Sequence, residues 1–326
     1  MNRTAQITTI DYHTAGEPFR IVTSGAPDIP GETVLERRVN APGHDFVRQL
    51  LCQEPRGHAD MYGCFLVPPD DPGADLGVLF WHKDGYSTAC GHGTIALAVH
   101  AVHEGLVKAD PDGVTPVVVD VPSGRVTALV SCTAGRVESV TFRNVPSTVL
   151  ARNVSVAGVT LDVSYGGAIY ASLPASAVGL TVAPEHLTDL IAHARRIKAA
   201  LADHPVSRHP TDDRLSGVYG VIFYDELPGT DTVIRQRNVT VFADGEVDRS
   251  PCGSGTAARL ALLAADHPAL ESLEHFSIIG TTFQARVASV TPDGIIPEID
   301  GMAYRTGRHT FDLDPADPLG PGFTLR

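Results

Sequence analysis

The sequence lacks the features that mark secreted, membrane-spanning and zinc-stabilised proteins. Its five cysteines are an odd number and contain no Cys-x-x-Cys pair, which argues against both a disulfide framework and a structural zinc site. No stretch approaches 18 uninterrupted apolar residues, and the first residues contain no apolar core of a signal peptide, so we expect neither a membrane span nor a leader. Together these absences predict a protein of the reducing cytoplasm.

Basic charge and nucleotide-binding motifs are also scarce. The chain has 25 Lys and Arg residues against 38 Asp and Glu residues, a net charge of −13, so it offers no basic field to a nucleic acid. No GxGxxG or GxxxxGK[ST] segment provides a nucleotide-binding loop. The 14 histidines show no HxxxH spacing, so we expect His13, His58 and His92 to form hydrogen bonds and expect no bound metal.

One short motif occurs twice in the chain. The pattern Cys-Gly-x-Gly-Thr-x-Ala begins at Cys90 and again at Cys252, about half the chain length later. Each copy closely follows a run of residues typical of a strand and opens a run of good helix formers. The repeat therefore predicts that each cysteine lies where a strand leads into the N-terminus of a buried helix.

A thiol at a helix N-terminus has a specific chemical environment. The first N–H groups of a helix lack intrahelical partners and carry roughly half a positive charge, so they bind anions and lower the pKa of a nearby thiol. Flanking glycines allow a ligand to approach the backbone closely. Two such cysteines in matching contexts favour two thiols that face one small anionic ligand. The alternative is an old duplication that preserved only a tight strand-to-helix turn.

The remaining pattern predicts an α+β protein with few helices. Residues 184–201 have the clearest helical period, and most other segments are short apolar runs separated by turn residues. Each half also has one apolar helix without a polar face, which indicates a sheet wrapped around a buried helix. With 326 residues the chain can form two domains of about 150 residues each.

Four segments resemble the signature segments of the proline racemase family, which also contains 4-hydroxyproline 2-epimerases and trans-3-hydroxyproline dehydratases. They are residues 11–17, 54–63, 89–93 and 248–256, and the resemblance extends through nearly the whole chain. The implied fold is diaminopimelate-epimerase-like, with two similar α+β domains, each a sheet rolled around a central helix. We place the first domain at residues 1–130 plus about 305–326 and the second at 131–304, with the site in the cleft between them.

The resemblance also implies a cofactor-independent reaction at the α-carbon of a proline-type imino acid, carried out by a homodimer. One thiolate would remove the α-proton from one face while a thiol protonates the other face, and these roles fall on Cys90 and Cys252. The implied substrate contacts are the backbone N–H groups of Gly91, His92, Gly253 and Ser254 for the carboxylate, Asp248 for the ring nitrogen, and Tyr62 and Phe242 for the ring.

The main alternatives are two activities within this family, epimerisation or racemisation on one side and dehydration on the other. Dehydratases of this family typically carry Thr where this chain has Cys252, because elimination of a 3-hydroxyl group needs only one base at the α-carbon. Cys252 therefore favours racemisation or epimerisation of proline or hydroxyproline. Residues 57–63, 165–170 and 237–244 nevertheless look closer to the dehydratase branch, so trans-3-hydroxy-L-proline dehydration is the alternative activity.

Two other function classes compete with this interpretation. A cysteine hydrolase could use Cys90 with His92, but side chains two residues apart at a helix start need not converge, and no third residue is evident that would orient the histidine. A non-catalytic imino-acid-binding protein could share the scaffold, but binding alone does not require two thiols. The other three cysteines, Cys52, Cys64 and Cys132, lie in apolar contexts and are expected to be packing residues.

Overall fold

The computed structural model describes residues 6–325 as an assembly of strands around two buried helices. The helices are α1 (Val34–Asn40), α2 (Phe46–Cys52), α3 (Gly91–His103), α4 (Leu187–Leu201) and α5 (Gly253–Asp266). The strands are β1 (Ile7–Thr14), β2 (Glu17–Ser24), β3 (Gly63–Val67), β4 (Leu76–His82), β5 (Gly85–Tyr86), β6 (Val114–Val121), β7 (Gly124–Thr133), β8 (Arg136–Arg143), β9 (Thr148–Val156), β10 (Val159–Tyr165), β11 (Ile169–Pro174), β12 (Val218–Leu227), β13 (Val233–Phe242), β14 (Glu246–Asp248), β15 (Ser272–Ser277), β16 (Thr282–Thr291), β17 (Gly294–Gly301) and β18 (Ala303–Phe311).

The strands form two half-sheets of the same design. In the first half-sheet the neighbours run β18-β1-β2-β3-β4-β6-β7-β8. In the second they run β9-β10-β11-β12-β13-β15-β16-β17. Strands β8 and β17 pair antiparallel and join the two half-sheets into one continuous set of hydrogen bonds.

The order of parallel and antiparallel pairs is also the same in both half-sheets. The parallel pairs are β2/β3 and β4/β6 in the first and β11/β12 and β13/β15 in the second. In each half-sheet a motif helix connects a parallel pair, with α3 between β4 and β6 and α5 between β13 and β15. The repeated sequence motif therefore belongs to a structural repeat in which each unit is half of the molecule.

The two motif helices are the cores of the two halves. Residues 91–101 of α3 and residues 253–263 of α5 are buried on every side, as their apolar sequences without a polar face require. Helix α3 packs against β1, β2, β6, β7, β8 and β18, and α5 packs against β9, β10, β11, β16 and β17. Within residues 6–325, no helix is both long enough and apolar enough to cross a membrane.

The helix expected at 184–201 is buried on one face only, unlike α3 and α5. Helix α4 begins at Leu187, after a 3₁₀ turn that starts at Pro184, and it packs one face against β12 and β13. Its buried residues recur at helical spacing, and the rest of the helix is exposed or half-buried, as an amphipathic surface helix requires. They are Leu190, Ile191, Ala194, Ile197 and Leu201.

The strand register bears on where the two domains divide. The expected boundary at residue 130 falls within β7, which pairs along its whole length with β6 and β8 of the first half-sheet. We propose residues 144–147, between β8 and β9, as the division point, because the next strands belong to the second half-sheet. Strand β18 returns the chain to the first half-sheet beside β1, close to the expected return at about residue 305.

The N-termini of α3 and α5 meet where the two halves join. A Cβ atom at Gly91 would lie 2.5 Å from the Cα atom of Gly253, and a Cβ atom at Gly253 would lie 2.6 Å from the Cα atom of Gly91. Real Cβ atoms do not approach backbone this closely, so only glycine fits either position. The two helices thus point their unpaired N–H groups toward one small region.

We expect Gly91→Ala and Gly253→Ala to destabilise the protein by about 1–3 kcal/mol each, because the added methyl group forces apart the two helix starts. Urea unfolding followed by circular dichroism measures this as a lower midpoint. Gly43→Ala is the matched control, since a Cβ atom there meets nothing within 4 Å. An unchanged midpoint for Gly91→Ala and Gly253→Ala would contradict the close contact.

Candidate active site

Each motif cysteine caps the helix that follows it. Cys90 is the N-cap of α3, and its Sγ atom accepts a hydrogen bond from the Gly93 N–H group at 3.2 Å. Cys252 is the N-cap of α5, and its Sγ atom accepts one from the Gly255 N–H group at 3.3 Å. The two thiols therefore occupy equivalent positions at the two helix starts that meet between the halves.

Both thiols line one small cavity between the two halves. Its lining combines residues of the first half with residues of the second, and its volume of about 10 Å³ has room for about one water molecule. A five-membered ring can enter only if the halves separate. The lining residues are Tyr62, Ala89, Cys90, His92, Tyr170, Tyr219, Phe242, Asp248, Cys252 and Ser254.

The residues expected from the sequence thus lie together. Seven of them line the cavity, and Gly91 and Gly253 form the close backbone contact beside it. The cysteines are almost fully buried, at 4% exposure for Cys90 and 5% for Cys252. The individual roles of these residues stay predictions, but their arrangement places all of them within one site.

Burial determines the protonation state of the two thiols in this closed site. Burial raises the pKa of Cys90 and of Cys252, and the negative charge of Asp248 raises both further. The N–H groups of Gly93 and Gly255 act in the opposite direction and lower the pKa, but by less. The lowered pKa expected from the helix N-termini is therefore wrong for the closed site, where burial outweighs the N–H groups and raises the pKa of both thiols.

His92 and Asp248 form a polar pair beside Cys90. The Nδ1 atom of His92 lies 3.7 Å from Oδ2 of Asp248, and both ring nitrogens lie 3.5 Å from Sγ of Cys90. Burial lowers the pKa of His92, although Asp248 partly opposes this. Oδ1 of Asp248 is held by the backbone N–H group and the hydroxyl group of Ser250, at 2.8 and 2.7 Å, so Oδ2 faces the histidine.

The backbone at Cys252 differs from that at Cys90. Cys252 has φ of 65°, in the left-handed region that disfavours side chains, whereas Cys90 is extended with φ of −155°. The Cys252 N–H group donates to Oγ of Ser250 at 3.0 Å, which fixes this conformation. The hydroxyl group of Tyr170 lies 3.8 Å from Sγ of Cys252 and 2.7 Å from Oγ of Ser254.

Sequence reasoning missed Tyr170 and Tyr219 as residues of the cavity. A Tyr-Gly pair begins at Tyr62, Tyr165 and Tyr219, so the sequence offered a weak signal for Tyr219 that it shares with Tyr165. The structure gives the first and third of these pairs equivalent positions, with Gly63 opposite Trp81 on β4 and Gly220 opposite Phe242 on β13. The repeat of half the molecule therefore includes the tyrosines as well as the cysteines.

The polar segments around residues 17 and 60 hold the loop before Cys252. The Arg249 N–H group donates to Oε2 of Glu17 at 2.8 Å, and its guanidinium group lies 3.3 Å from Oδ2 of Asp60. Asp60 also accepts a hydrogen bond from the Val247 N–H group at 3.1 Å. Burial raises the pKa of Glu17, and the charge of Asp248 raises it further. These contacts tie the first half to the loop that carries Asp248.

Among residues 6–325, one group of potential metal ligands occurs outside the cavity. The ligand atoms of His82, Asp84 and Glu246 lie within 4.8 Å of one another. Nδ1 of His82 lies 3.2 Å from Oε1 of Glu246, and Nζ of Lys83 lies 3.2 Å from Oδ1 of Asp84. Since these side chains already contact one another and Lys83, we assign no metal to the group.

Comparison with known proteins gives one consistent result. The family model described as "Proline racemase" matches residues 9–324. A trans-3-hydroxy-L-proline dehydratase from Bacillus cereus is 42% identical over 330 residues, covering 98% of each chain. A 3-hydroxyproline 2-epimerase from Burkholderia multivorans is 41% identical over 344 residues, covering 100% of each chain.

Solved structures agree with the family model. A hydroxyproline epimerase from Agrobacterium vitis, solved with bound trans-4-OH-L-proline, superimposes with a TM-score of 0.92 at 30% identity and covers 100% of this chain and 97% of its own. A methylitaconate-delta-isomerase at 14% identity, with a TM-score of 0.54, shares the fold alone. The expected diaminopimelate-epimerase-like α+β fold is confirmed, and the chain belongs to the proline racemase family.

Proposed function

We propose that the protein is a cofactor-independent racemase or 2-epimerase of proline or a hydroxyproline, with Cys90 and Cys252 as its acid/base pair. The observation that carries this proposal is the position of the two thiols, each capping a buried helix and both lining one cavity. A reaction that inverts a carbon needs one proton-transfer group on each face. The two halves of the molecule supply one thiol each.

The substrate carboxylate would lie at the two helix N-termini. The N–H groups of Gly91 and His92 begin α3, and those of Gly253 and Ser254 begin α5, where no intrahelical partner is available to them. As the α-proton leaves, negative charge spreads onto the carboxylate, and these fixed N–H dipoles stabilise it in a cavity that excludes water. Asp248, close to His92, would hold the positively charged ring nitrogen.

The proton inventory of the reaction is balanced. One cysteine enters as a thiolate and takes the α-proton, which leaves the bonding electron pair on the α-carbon and its carboxylate. The other cysteine enters as a thiol and gives its proton to the opposite face, which inverts the configuration. The thiol and thiolate have then exchanged roles, so the enzyme is ready for the reverse reaction.

The names of several relatives favour a second candidate, the dehydration of trans-3-hydroxy-L-proline. In this compound the α-hydrogen and the 3-hydroxyl group lie on the same face of the ring. One thiolate could therefore remove the α-proton and return it to the departing hydroxyl group as water, leaving an unsaturated ring that tautomerises to the imine. This route requires one cysteine, and the second thiol favours epimerisation.

We expect Cys90→Ser and Cys252→Ser each to lower the epimerisation rate by about 10²–10⁴-fold, because either change removes the proton-transfer group of one face. NMR in heavy water, with L-proline, trans-3-hydroxy-L-proline and trans-4-hydroxy-L-proline, would follow deuterium at the α-carbon and formation of the imine. Cys132→Ser is the matched control, a buried cysteine on β7 outside the cavity. Full turnover in either cavity variant would refute the two-base assignment, and imine formation that requires only one cysteine would establish dehydration.

We expect kcat/KM to depend on pH as a bell-shaped curve with its rising limb in the alkaline range. Because burial raises the pKa of both thiols, few molecules carry the required thiolate near neutrality, and activity rises with pH as the first thiol ionises. Activity falls again once both thiols are ionised, since the proton donor is then lost. Rates measured from pH 6 to pH 10 would test this, and a flat profile between pH 6 and pH 8 would contradict it.

Two expectations from the family resemblance extend this proposal beyond the site. We expect the protein to act as a homodimer, which sedimentation measurements on the purified chain would test. We also expect it to act in the cytoplasm on a small imino acid, where its five free, buried cysteines stay reduced.

A further inference from the structure

The proposed placement of the substrate leaves one wall of the cavity without a role. The helix N-termini take the carboxylate, Asp248 takes the ring nitrogen, and the thiols take the two faces of the α-carbon. The remaining carbons of the ring must then face the other large side chains of the lining, which are Tyr62, Tyr219 and Phe242. Tyr170 is set apart, since its hydroxyl group is hydrogen-bonded beside the α5 N-terminus.

This wall consists of aromatic rings, and its polar atoms are the hydroxyl groups of the two tyrosines. The rings of Tyr219 and Phe242 stack with centroids 5.5 Å apart, and the ring of Tyr62 meets Phe242 edge-on at 5.7 Å. The hydroxyl groups of Tyr62 and Tyr219 lie 3.0 Å apart and form a hydrogen bond across the boundary between the halves. The Tyr62 hydroxyl group also bonds to Oγ of Ser87.

The hydrogen-bonding capacity of this pair is only partly used. A phenol has one donor and two acceptor positions, and the bond to Tyr62 uses one position of the Tyr219 hydroxyl group. Burial raises the pKa of both tyrosines, so both stay neutral and keep their protons in any ordinary assay. The Tyr62 hydroxyl group is engaged by Ser87 and Tyr219 and also hydrogen-bonds to Cys90. A hydroxyl group on the substrate ring would therefore bond to a free position of the Tyr219 phenol.

A ring without a hydroxyl group would meet the same wall less favourably. Closure of the two halves would press a CH₂ group against polar phenol oxygens and leave their free positions shielded from water. A site built to bond a substrate hydroxyl group rejects the analogue that lacks it, because its own buried polar groups are then left unpaired. A purely apolar wall would instead accept the unsubstituted ring.

We propose that Tyr62 and Tyr219 form a hydroxyl-reading pair that selects ring-hydroxylated imino acids over proline. This inference rests on the proposed function and deepens it, since it assigns the choice of substrate to two named side chains, one from each half. Tyr219 is the principal member, because the Tyr62 hydroxyl group is already bonded to Ser87. Neither transfers the α-proton, and the Tyr62 hydroxyl group also hydrogen-bonds to Cys90 and lowers its pKa.

The test compares kcat/KM for L-proline, trans-3-hydroxy-L-proline and trans-4-hydroxy-L-proline in the full-length protein and its Tyr219→Phe and Tyr62→Phe variants. We expect the wild type to prefer at least one hydroxylated compound over proline by about 10²-fold or more. Tyr219→Phe should lower kcat/KM for that compound by about 10–100-fold and raise the value for proline, because no unpaired hydroxyl group then faces the unsubstituted ring at this position. The two hydroxylated compounds show which ring carbon the pair faces.

A merely structural role for the tyrosines would lower all three values together, so the ratio of the values is the decisive measurement. Tyr304→Phe, at a tyrosine with 58% exposure, is the matched control and should change nothing. Circular dichroism shows whether each variant is folded, and Tyr62→Phe provides the second measurement if Tyr219→Phe is not. A wild type that does not discriminate, or a ratio unchanged in the folded variants, overturns the proposal.

If the proposed function is wrong, the experiment gives a different result from the one that would overturn the tyrosine pair. If no imino acid exchanges its α-proton with heavy water, the acid/base assignment falls, and binding then tests the tyrosine pair by itself. In that case a larger thermal stabilisation of the wild type by a hydroxyproline than by L-proline, lost in Tyr219→Phe, supports the pair. Equal stabilisation by all three compounds overturns it.

Discussion

The contact between two helix N-termini is the constraint on which the rest of the structure depends. Each N-terminus carries roughly half a positive charge, so two of them brought together repel each other. The close approach of Gly91 and Gly253 makes this repulsion unavoidable, and each capping sulfur relieves only one N–H group of its own helix. A bound carboxylate would supply the missing negative charge to both helices, so anion binding and joining of the two halves reinforce each other.

Closure of the halves has opposite effects on two requirements of catalysis. Excluding water strengthens the interaction between the N–H dipoles and the charge that develops on the carboxylate. The same exclusion raises the pKa of Cys90 and Cys252 and disfavours the thiolate with which the proposed reaction would start. Contacts such as the one between Arg249 and Glu17 stabilise closure. The closed site would therefore stabilise the developing charge at the expense of the thiolate.

The sequence predicts the features that depend on local pattern and misses those that depend on strand register. The Cys-Gly-x-Gly-Thr repeat predicts both buried helices and both N-cap thiols, since these follow from adjacent residues. The role of Asp248 came from the family resemblance. The contact between the hydroxyl groups of Tyr219 and Tyr62 depends on how the two halves meet, and the sequence does not specify that arrangement. The proposed division at residues 144–147 likewise depends on strand pairing, because the hairpin of β7 and β8 belongs to the first half-sheet.

The backbone at position 252 offers an independent argument about which branch of the family the chain follows. A side chain at φ of 65° is strained, and a β-branched residue is strained more than an unbranched one. Threonine, which the family resemblance associates with the dehydratase branch, would therefore be strained more than cysteine at this φ. A glycine would remove the strain but also the thiol. The conformation is thus understandable if position 252 must present an unbranched, ionisable side chain to the cavity, as a second proton-transfer group would.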